Sequence, residues 1–176
     1  MPVPIKFLNK IEKESLMKKL EEQFGIKEVP GQLARFGKER IVLYSGSVSE
    51  KEIIIIDELA RVEGVGLYFA KEQPDGIRLS IDGANLVKDQ ITKNIFELNE
   101  KQAEQWMLGQ EIPLEPKETN FKGFVIIKFK DDCLGTGKAS ELRITNFVPK
   151  PRRLKFKENK IENNNFEEKE LNSEEQ

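Results

Sequence analysis

The chain has 176 residues, of which 38% are hydrophobic and 34% charged, and its formal net charge is −2. This length and composition fit a soluble globular protein of one ordinary or two small domains. A single cysteine and the absence of histidine exclude an intrachain disulfide, a Cys-rich zinc site and imidazole-based triads. We therefore expect a protein with no cofactor, no metal and no catalysis of its own. The longest apolar run, at 53–56, is too short to span a bilayer, so we expect a cytoplasmic protein without membrane contact.

Helix-start signals occur at three places, where a capping side chain is followed three residues later by Glu or Gln. They are Asn9 with Glu12, Ser49 with Glu52, and Asn99 with Gln102. Helices are predicted over 10–24, over EIIIIDELARV after Ser49, and over NEKQAEQWML before Gly109. Four consecutive isoleucines in the second segment favour a strand by propensity, but the cap and the following Asp-Glu-Leu-Ala favour a helix, which is our prediction.

Strands are predicted where apolar runs are bounded by turn residues. In the first half they lie at 32–36, 40–44, 66–70 and 76–81, and a short helix follows at 83–87. In the second half they lie at 94–98, 123–130, 133–137 and 142–147, with a further candidate at 153–156. Pro113 and Pro116 mark an irregular connection between these parts. The predicted fold class is α+β: an N-terminal α/β domain (1–90), a small β-barrel (91–157) and an acidic tail (158–176).

Charge is segregated along the chain. The segment 121–157 carries ten basic and three acidic side chains, a net charge of +7, whereas the segment 158–176 has a net charge of −5. A cationic, β-rich module in an acidic protein points to a polyanionic partner, and RNA fits best. The tail is predicted to be disordered, because it has too few apolar residues to offset the entropy of ordering. It either solubilises the protein or competes with nucleic acid for the basic segment.

Several motifs have a structural and a functional interpretation. The run from Leu134 to Lys138 resembles a phosphate-binding loop, but Asp132 and Ala139 stand where such a loop needs Gly and Ser or Thr. We therefore predict a turn and a strand there. Trp106 could stack on a base, but its helical spacing favours an anchor in the core. Cys133, which follows two aspartates, is predicted to be unreactive.

The end of the basic segment carries the sharper signal. Lysines offer mobile point charges to phosphates, and the arginine fork binds phosphate in two places or stacks on a base. Pro149 and Pro151 restrict the backbone that presents these side chains. Asn146 is suited either to a base edge or ribose hydroxyl or to capping a turn. Asp82, close to Arg78 in sequence, is predicted to form a salt bridge with it between the two halves.

The order of these elements resembles the two-domain ribosome-biogenesis factors of archaea and eukaryotes, which carry an α/β domain followed by a PUA domain. The resemblance rests on GLYFAKEQPDGIRLSIDGANLV at 66–87, IFELNEKQAEQWMLGQ at 95–110 and GFVIIKFKDDCLGTGKAS at 123–140. The ending ITNFVPKPRRLK at 144–155 is similar to the PUA-type C-terminal domain of Sun/Fmu-type rRNA cytosine-5 methyltransferases. The methyltransferase signature itself is missing, since there is no glycine-rich cofactor loop and no pair of catalytic cysteines.

These resemblances imply a PUA-like barrel at 91–157 and a non-catalytic RNA-binding protein that acts in ribosome biogenesis or rRNA maturation. The alternative is a protein–protein adaptor or an accessory subunit of an RNA-modification enzyme, with a pre-ribosomal or RNA-modifying protein as partner. The residues expected to contact RNA are Lys138, Arg143, Asn146, Lys150, Arg152, Arg153 and Lys155.

Overall fold

A computed structural model describes residues 5–60, 62, 64–115 and 121–155. Within them the chain is α+β and forms two five-stranded sheets. The predicted acidic tail, together with Phe156 and Lys157, lies outside the described residues.

The first sheet is an antiparallel meander in the order β1-β2-β3-β4-β5. Its strands are β1 (Ile5–Phe7), β2 (Gln32–Phe36), β3 (Arg40–Tyr44), β4 (Leu67–Gln73) and β5 (Gly76–Leu79). Helix α1 (Lys10–Phe24) lies between β1 and β2 and starts at the predicted capping box. It ends at Gly25, whose φ of 84° suits a residue without Cβ. Leu16, Leu20 and Phe24 recur at helical spacing and are buried, so one stripe of α1 packs into the core.

Helix α2 (Glu50–Leu59) begins at the capping box of Ser49 and Glu52, as predicted. The hydrogen bonds of this capping box therefore outweigh the strand propensity of the four isoleucines. Ile53 packs with Ile5, Ala34 and Val42 on the outer face of the first sheet. The three isoleucines after it are 45–54% exposed, so α2 covers the sheet with one edge only.

The second sheet has the order β6-β8-β9-β10-β7. Its strands are β6 (Ile95–Glu97), β7 (Ile112–Pro113), β8 (Gly123–Phe129), β9 (Asp132–Ala139) and β10 (Arg143–Thr145). β6 pairs parallel to β8, and β8 and β9 form an antiparallel hairpin. Helix α3 (Ile81–Leu86) and a 3₁₀ turn (Lys88–Gln90) lead into this sheet, and α4 (Glu100–Met107) follows β6.

The hairpin β8–β9 packs on both of its faces. One core lies beneath α1 and the first sheet and contains Phe124, Ile126 and Cys133. We call it the first core. Val125, Ile127 and neighbouring residues instead join Trp106 of α4 in the second core. Because successive residues of a strand point to opposite faces, one hairpin serves two cores, and the halves of the chain are packed together through it.

Several predicted boundaries differ from the structure. The strand candidate at 153–156 is wrong for its described residues, since a 3₁₀ turn at Lys150–Arg152 leads into irregular backbone. The strand predicted at 142–147 is shorter, because only Arg143–Thr145 pair with a neighbour. The short helix starts two residues earlier than predicted, since Ser80 caps it. Pairing also turns Ile112–Pro113 into a strand inside the predicted irregular connection.

Candidate nucleic-acid interface

The C-terminal segment, residues 146–155, is held against α4 by a side chain that the sequence placed among the RNA contacts. The Asn146 amide nitrogen donates to the carbonyl oxygens of Trp106 (2.7 Å) and Gln110 (2.9 Å). Its Oδ1 accepts from the Val148 N–H at 2.8 Å. Both amide hydrogens are therefore used within the protein, and this side chain positions the segment.

Arg153 fixes the far end of the same segment. Its Nε donates to the Val148 carbonyl at 2.9 Å, and the Leu154 N–H donates to the Met107 carbonyl at 2.8 Å. The guanidinium lies against Gly109, where a Cβ would approach Arg153 Cζ to 2.6 Å. Gly109 also has a φ of 89°, a backbone conformation that favours glycine. The segment is thus a short arm pinned at each end, with its remaining cations on the outside.

Lys150 and Lys155 are the unpaired cations of this arm. Both side chains are exposed, and among the described residues neither forms an ion pair. Lys150 starts the 3₁₀ turn, with Pro149 just before it and Pro151 within it. The prolines limit the conformations of that turn, so the ammonium group is presented from a stiff backbone.

Three of the other predicted cations are each paired with a carboxylate. Arg143 contacts Glu111 at 3.0 Å, and Arg152 contacts Asp82 at 2.6 Å. Lys138 donates to Asp75 of the β4–β5 turn, and this hydrogen bond lowers the pKa of the Asp75 carboxyl. All three pairs are exposed, so each contributes little stability, and a phosphate can compete for the cation.

Asp82 corrects one prediction. Its carboxylate pairs with Arg152, not with Arg78. The Arg78 guanidinium instead lies over the ring of Phe147, with 4.6 Å between Cζ and the ring centroid. A bridge between the two halves does exist at Asp82, but its partner is 70 residues away in sequence, a separation that local reasoning does not reach.

A cleft of about 280 Å³ opens beside these groups, where the β5–α3 junction meets β9 and the C-terminal segment. Arg78, Asp82, Phe147 and Arg152 are among its lining residues. Arg78 and Phe147 were not among the predicted site residues. The available signal was the isolated Arg in a short strand between two apolar residues, Ile77 and Leu79, both of which are buried.

The predicted structural role is found for Trp106 and for the run from Leu134 to Lys138, each of which also had a functional interpretation. The Trp106 side chain is fully buried, and its Nε1–H donates to the Leu134 carbonyl at 2.9 Å, so it anchors the second core. Leu134–Lys138 lies within β9, as a strand and not a phosphate loop. Burial is the largest effect that raises the pKa of the Cys133 thiol, and Asp132 adds to it. Burial therefore disfavours the thiolate, the form in which a cysteine reacts.

The described part of the chain contains no cluster of metal-ligating side chains and no helix that could span a membrane. No group of three or more carboxylate or cysteine side chains in residues 5–60, 62, 64–115 and 121–155 could hold a metal ion. No helix in these ranges is long and apolar enough to cross a membrane.

Comparisons with known proteins point to one family for the second half. Residues 93–154 match the family model of the methyltransferase RsmF PUA domain. This range contains all the predicted contact residues except Lys155. The match supports the resemblance of the ending to Sun/Fmu-type methyltransferases, whereas the resemblance to archaeal and eukaryotic assembly factors stays a prediction.

The similar curated proteins are bacterial rRNA methyltransferases. Ribosomal RNA small subunit methyltransferase F of Aeromonas salmonicida is 28% identical over 153 residues, which are 85% of this chain and 28% of that protein. Its counterpart in Aeromonas hydrophila is 28% identical over 152 residues, or 85% and 29%. The Vibrio cholerae enzyme is 27% identical over 90 residues, or 51% and 19%. The chain thus spans between a quarter and a third of the Aeromonas proteins, and its second half is similar to an RsmF-type PUA domain.

Proposed function

We propose that this chain is a non-catalytic RNA-binding unit that holds rRNA during ribosome biogenesis or rRNA maturation in the cytoplasm. One observation carries the proposal: the half that matches an rRNA methyltransferase PUA domain is also the half in which an anchored arm exposes unpaired cations. The names of the relatives supply the RNA class, since they are enzymes of small-subunit rRNA.

The predicted contact residues have different roles in the proposed interface. Lys150 and Lys155 contact phosphates directly, because no carboxylate in the described chain competes for them. Lys138 and Arg143 exchange an exposed carboxylate for a phosphate, whereas Arg152 keeps Asp82 and contacts RNA beside it. Asn146 and Arg153 hold the arm in place, and the outer edge of the Arg153 guanidinium is available to a phosphate as well.

The non-catalytic part of the proposal rests on sequence and on Cys133. The Sun/Fmu resemblance implies a catalytic cysteine pair and a glycine-rich cofactor loop, and the chain has neither. Its one cysteine is buried in the first core with a raised pKa. Methyl transfer would therefore need another protein region, and this chain contributes recognition.

Salt-dependent RNA binding tests the proposal. Fluorescence anisotropy would follow the protein on labelled fragments of small-subunit rRNA in 50 to 200 mM KCl. The affinity should fall with a log–log slope of about −0.7 to −0.9 per phosphate contacted, as counterions are released. A duplex DNA of equal length controls for binding by charge alone. An absence of RNA binding at 50 mM KCl, or affinity that is constant over the series, contradicts the proposal.

A second candidate, an accessory unit of an RNA-modifying enzyme, is favoured by helix α2. Its exposed isoleucines and Leu59, which is 84% exposed, form an apolar surface on the side of the first sheet opposite α1. The occupant would be the catalytic part of an rRNA methyltransferase, because the relatives combine this region with such an activity. Ile55→Glu with Leu59→Glu should then abolish binding to a purified methyltransferase and leave RNA affinity intact. Unchanged binding would exclude this surface.

A further inference from the structure

The cleft between the two halves has the size and lining of a small ligand site. Its volume of about 280 Å³ is near the lower limit of ligand pockets, roughly 300 Å³. Leu79, Ile81 and Leu134 give it an apolar floor, and Pro149 and Pro151 give it a stiff wall. This space suits one flat, partly apolar group and is too small for an extended chain.

One side of the cleft already contains a stack. The Arg78 guanidinium lies 4.6 Å from the Phe147 centroid, and the Phe147 ring packs tilted on Phe124 with 6.3 Å between centroids. Phe124 is buried, so it fixes the ring from below. Arg78 and Phe147 each keep part of their surface exposed. Aromatic rings and guanidinium planes are the surfaces on which proteins stack unpaired bases, and a base that enters the cleft extends this stack.

The rim of the cleft offers an acceptor beside a donor. Asp82 and Arg152 lie 2.6 Å apart, and their side chains are 41% and 54% exposed. A site that binds only phosphate would gain nothing from a carboxylate here, because the carboxylate and the phosphate repel each other. The Watson–Crick edge of a base presents donors beside acceptors, and it is complementary to this pair.

We propose that the cleft receives one unpaired base of the bound RNA, which stacks on Phe147 and Arg78 and is read at its edge by Asp82 and Arg152. This inference rests on the proposed RNA binding and adds the recognition of a single extruded nucleotide.

The experiment compares two RNA hairpins of identical stem. One has a loop of six cytidines, and in the other the six loop riboses carry no base. The wild-type protein should bind the cytidine loop more tightly by about 5-fold or more, the lower end of the range for stacking on aromatic side chains. Arg78→Ala should abolish this difference in affinity between the two loops. Arg78→Lys should remove it too, because it keeps the charge but not the plane.

Two further variants keep the test specific. Asp82→Asn, at a partly exposed position, should retain the fold and weaken binding of the cytidine loop relative to the loop without bases. Lys13→Ala, which removes an exposed charge from α1, should leave the ratio between loops unchanged. A loop of 5-iodocytidine should crosslink to Phe147 on irradiation, and peptide mapping would identify the adduct.

The outcomes separate the two proposals. Salt-dependent binding of both hairpins with equal affinity, and no adduct at Phe147, overturns the base site and leaves RNA binding intact. An absence of binding to hairpins and rRNA fragments alike overturns both. A cytidine preference that survives Arg78→Lys also overturns the base site, since the stack would then not carry it.

Discussion

The cations of the first half and those of the C-terminal segment differ in what they contact. In the first half, Lys19 and Arg35 converge on Glu72, each at 2.6 Å, and join α1 and β2 to β4. At the other end of the chain, Lys150 and Lys155 are exposed, and the described chain gives them no carboxylate. Cations therefore serve as internal ties around Glu72 and as a free positive surface at Lys150 and Lys155.

This difference explains how a protein with a net charge of −2 presents a cationic surface. Net charge counts every side chain equally, but a phosphate competes only for cations that are free or weakly held. The sequence block of net charge +7 overstates the available charge, because Lys138, Arg143 and Arg152 are paired. The free positive charge of the C-terminal segment therefore lies on Lys150 and Lys155.

Asn146→Ala should give the largest effect, because it detaches the arm without changing its charge. Two carbonyl oxygens, of Trp106 and Gln110, lose a donor, so the free energy of unfolding should fall by about 1 to 3 kcal/mol. RNA affinity should fall as well, since the cations of the arm are no longer held in place. Urea denaturation and anisotropy measure the two quantities. Glu141→Ala, an exposed change in the β9–β10 turn, is the control. RNA affinity at the wild-type level in Asn146→Ala would show that anchoring is irrelevant.

Removing the free cations should change the salt dependence of binding. Lys150→Ala with Lys155→Ala should make the log–log slope shallower by about 0.7 to 0.9 for each phosphate that the protein no longer neutralises. The matched double variant is Lys13→Ala with Lys27→Ala, both exposed in the first half, and its slope should stay near that of the wild type. Equal slopes for the two double variants would erase the contrast between the regions.

Freeing a paired cation should strengthen binding. Asp75→Asn releases Lys138 from its carboxylate, and RNA affinity should rise by about 2- to 5-fold, the equivalent of an exposed ion pair of up to ~1 kcal/mol. Asp131→Asn makes the same change of charge at an exposed position without releasing Lys138. If both variants gain equally, the effect is one of net charge and not of the pair.

Glu72→Gln should affect stability and leave RNA affinity unchanged. Burial opposes ionisation of Glu72, but hydrogen bonds from Lys19 and Arg35 outweigh it and lower the pKa of the carboxyl below 4.5. A lowered folded-state pKa stabilises the fold above the unfolded-state pKa, and this contribution is lost as the pH falls through the folded-state value. The wild type should therefore exceed Glu72→Gln by roughly 1 kcal/mol at pH 7. Urea titrations at several pH values should show the difference shrinking below about pH 4.5, and a constant difference would contradict the ion pair.

Local signals predicted the helices well. The caps at Asn9, Ser49 and Asn99 each form the expected hydrogen bonds with the residue three positions on. These contacts lie within one helical turn, so the sequence contains all that decides them. At Ser49, the hydrogen bonds of the cap outweigh the strand propensity of four isoleucines.

Long-range partners could not be predicted in the same way. The parallel pairing of β6 with β8 depends on how the two cores pack around one hairpin. The ion pair between Asp82 and Arg152 depends on the same packing. The cleft is formed by three separate parts of the chain. The sequence drew attention to several of its residues, among them Asp82 and Arg152, but not to their meeting in one site. Asn146 was predicted either to contact RNA or to cap a turn. In the structure its amide binds the backbone carbonyls of Trp106 and Gln110, which come within reach only in the folded protein.

Crosslinking in cells followed by sequencing of the bound RNA tests the central claim most directly. The wild-type chain should enrich fragments of rRNA, and the Lys150→Ala, Lys155→Ala variant should lose most of that enrichment at equal protein abundance. Crosslinks spread in proportion to total RNA, or an unchanged rRNA signal in the variant, would contradict the account.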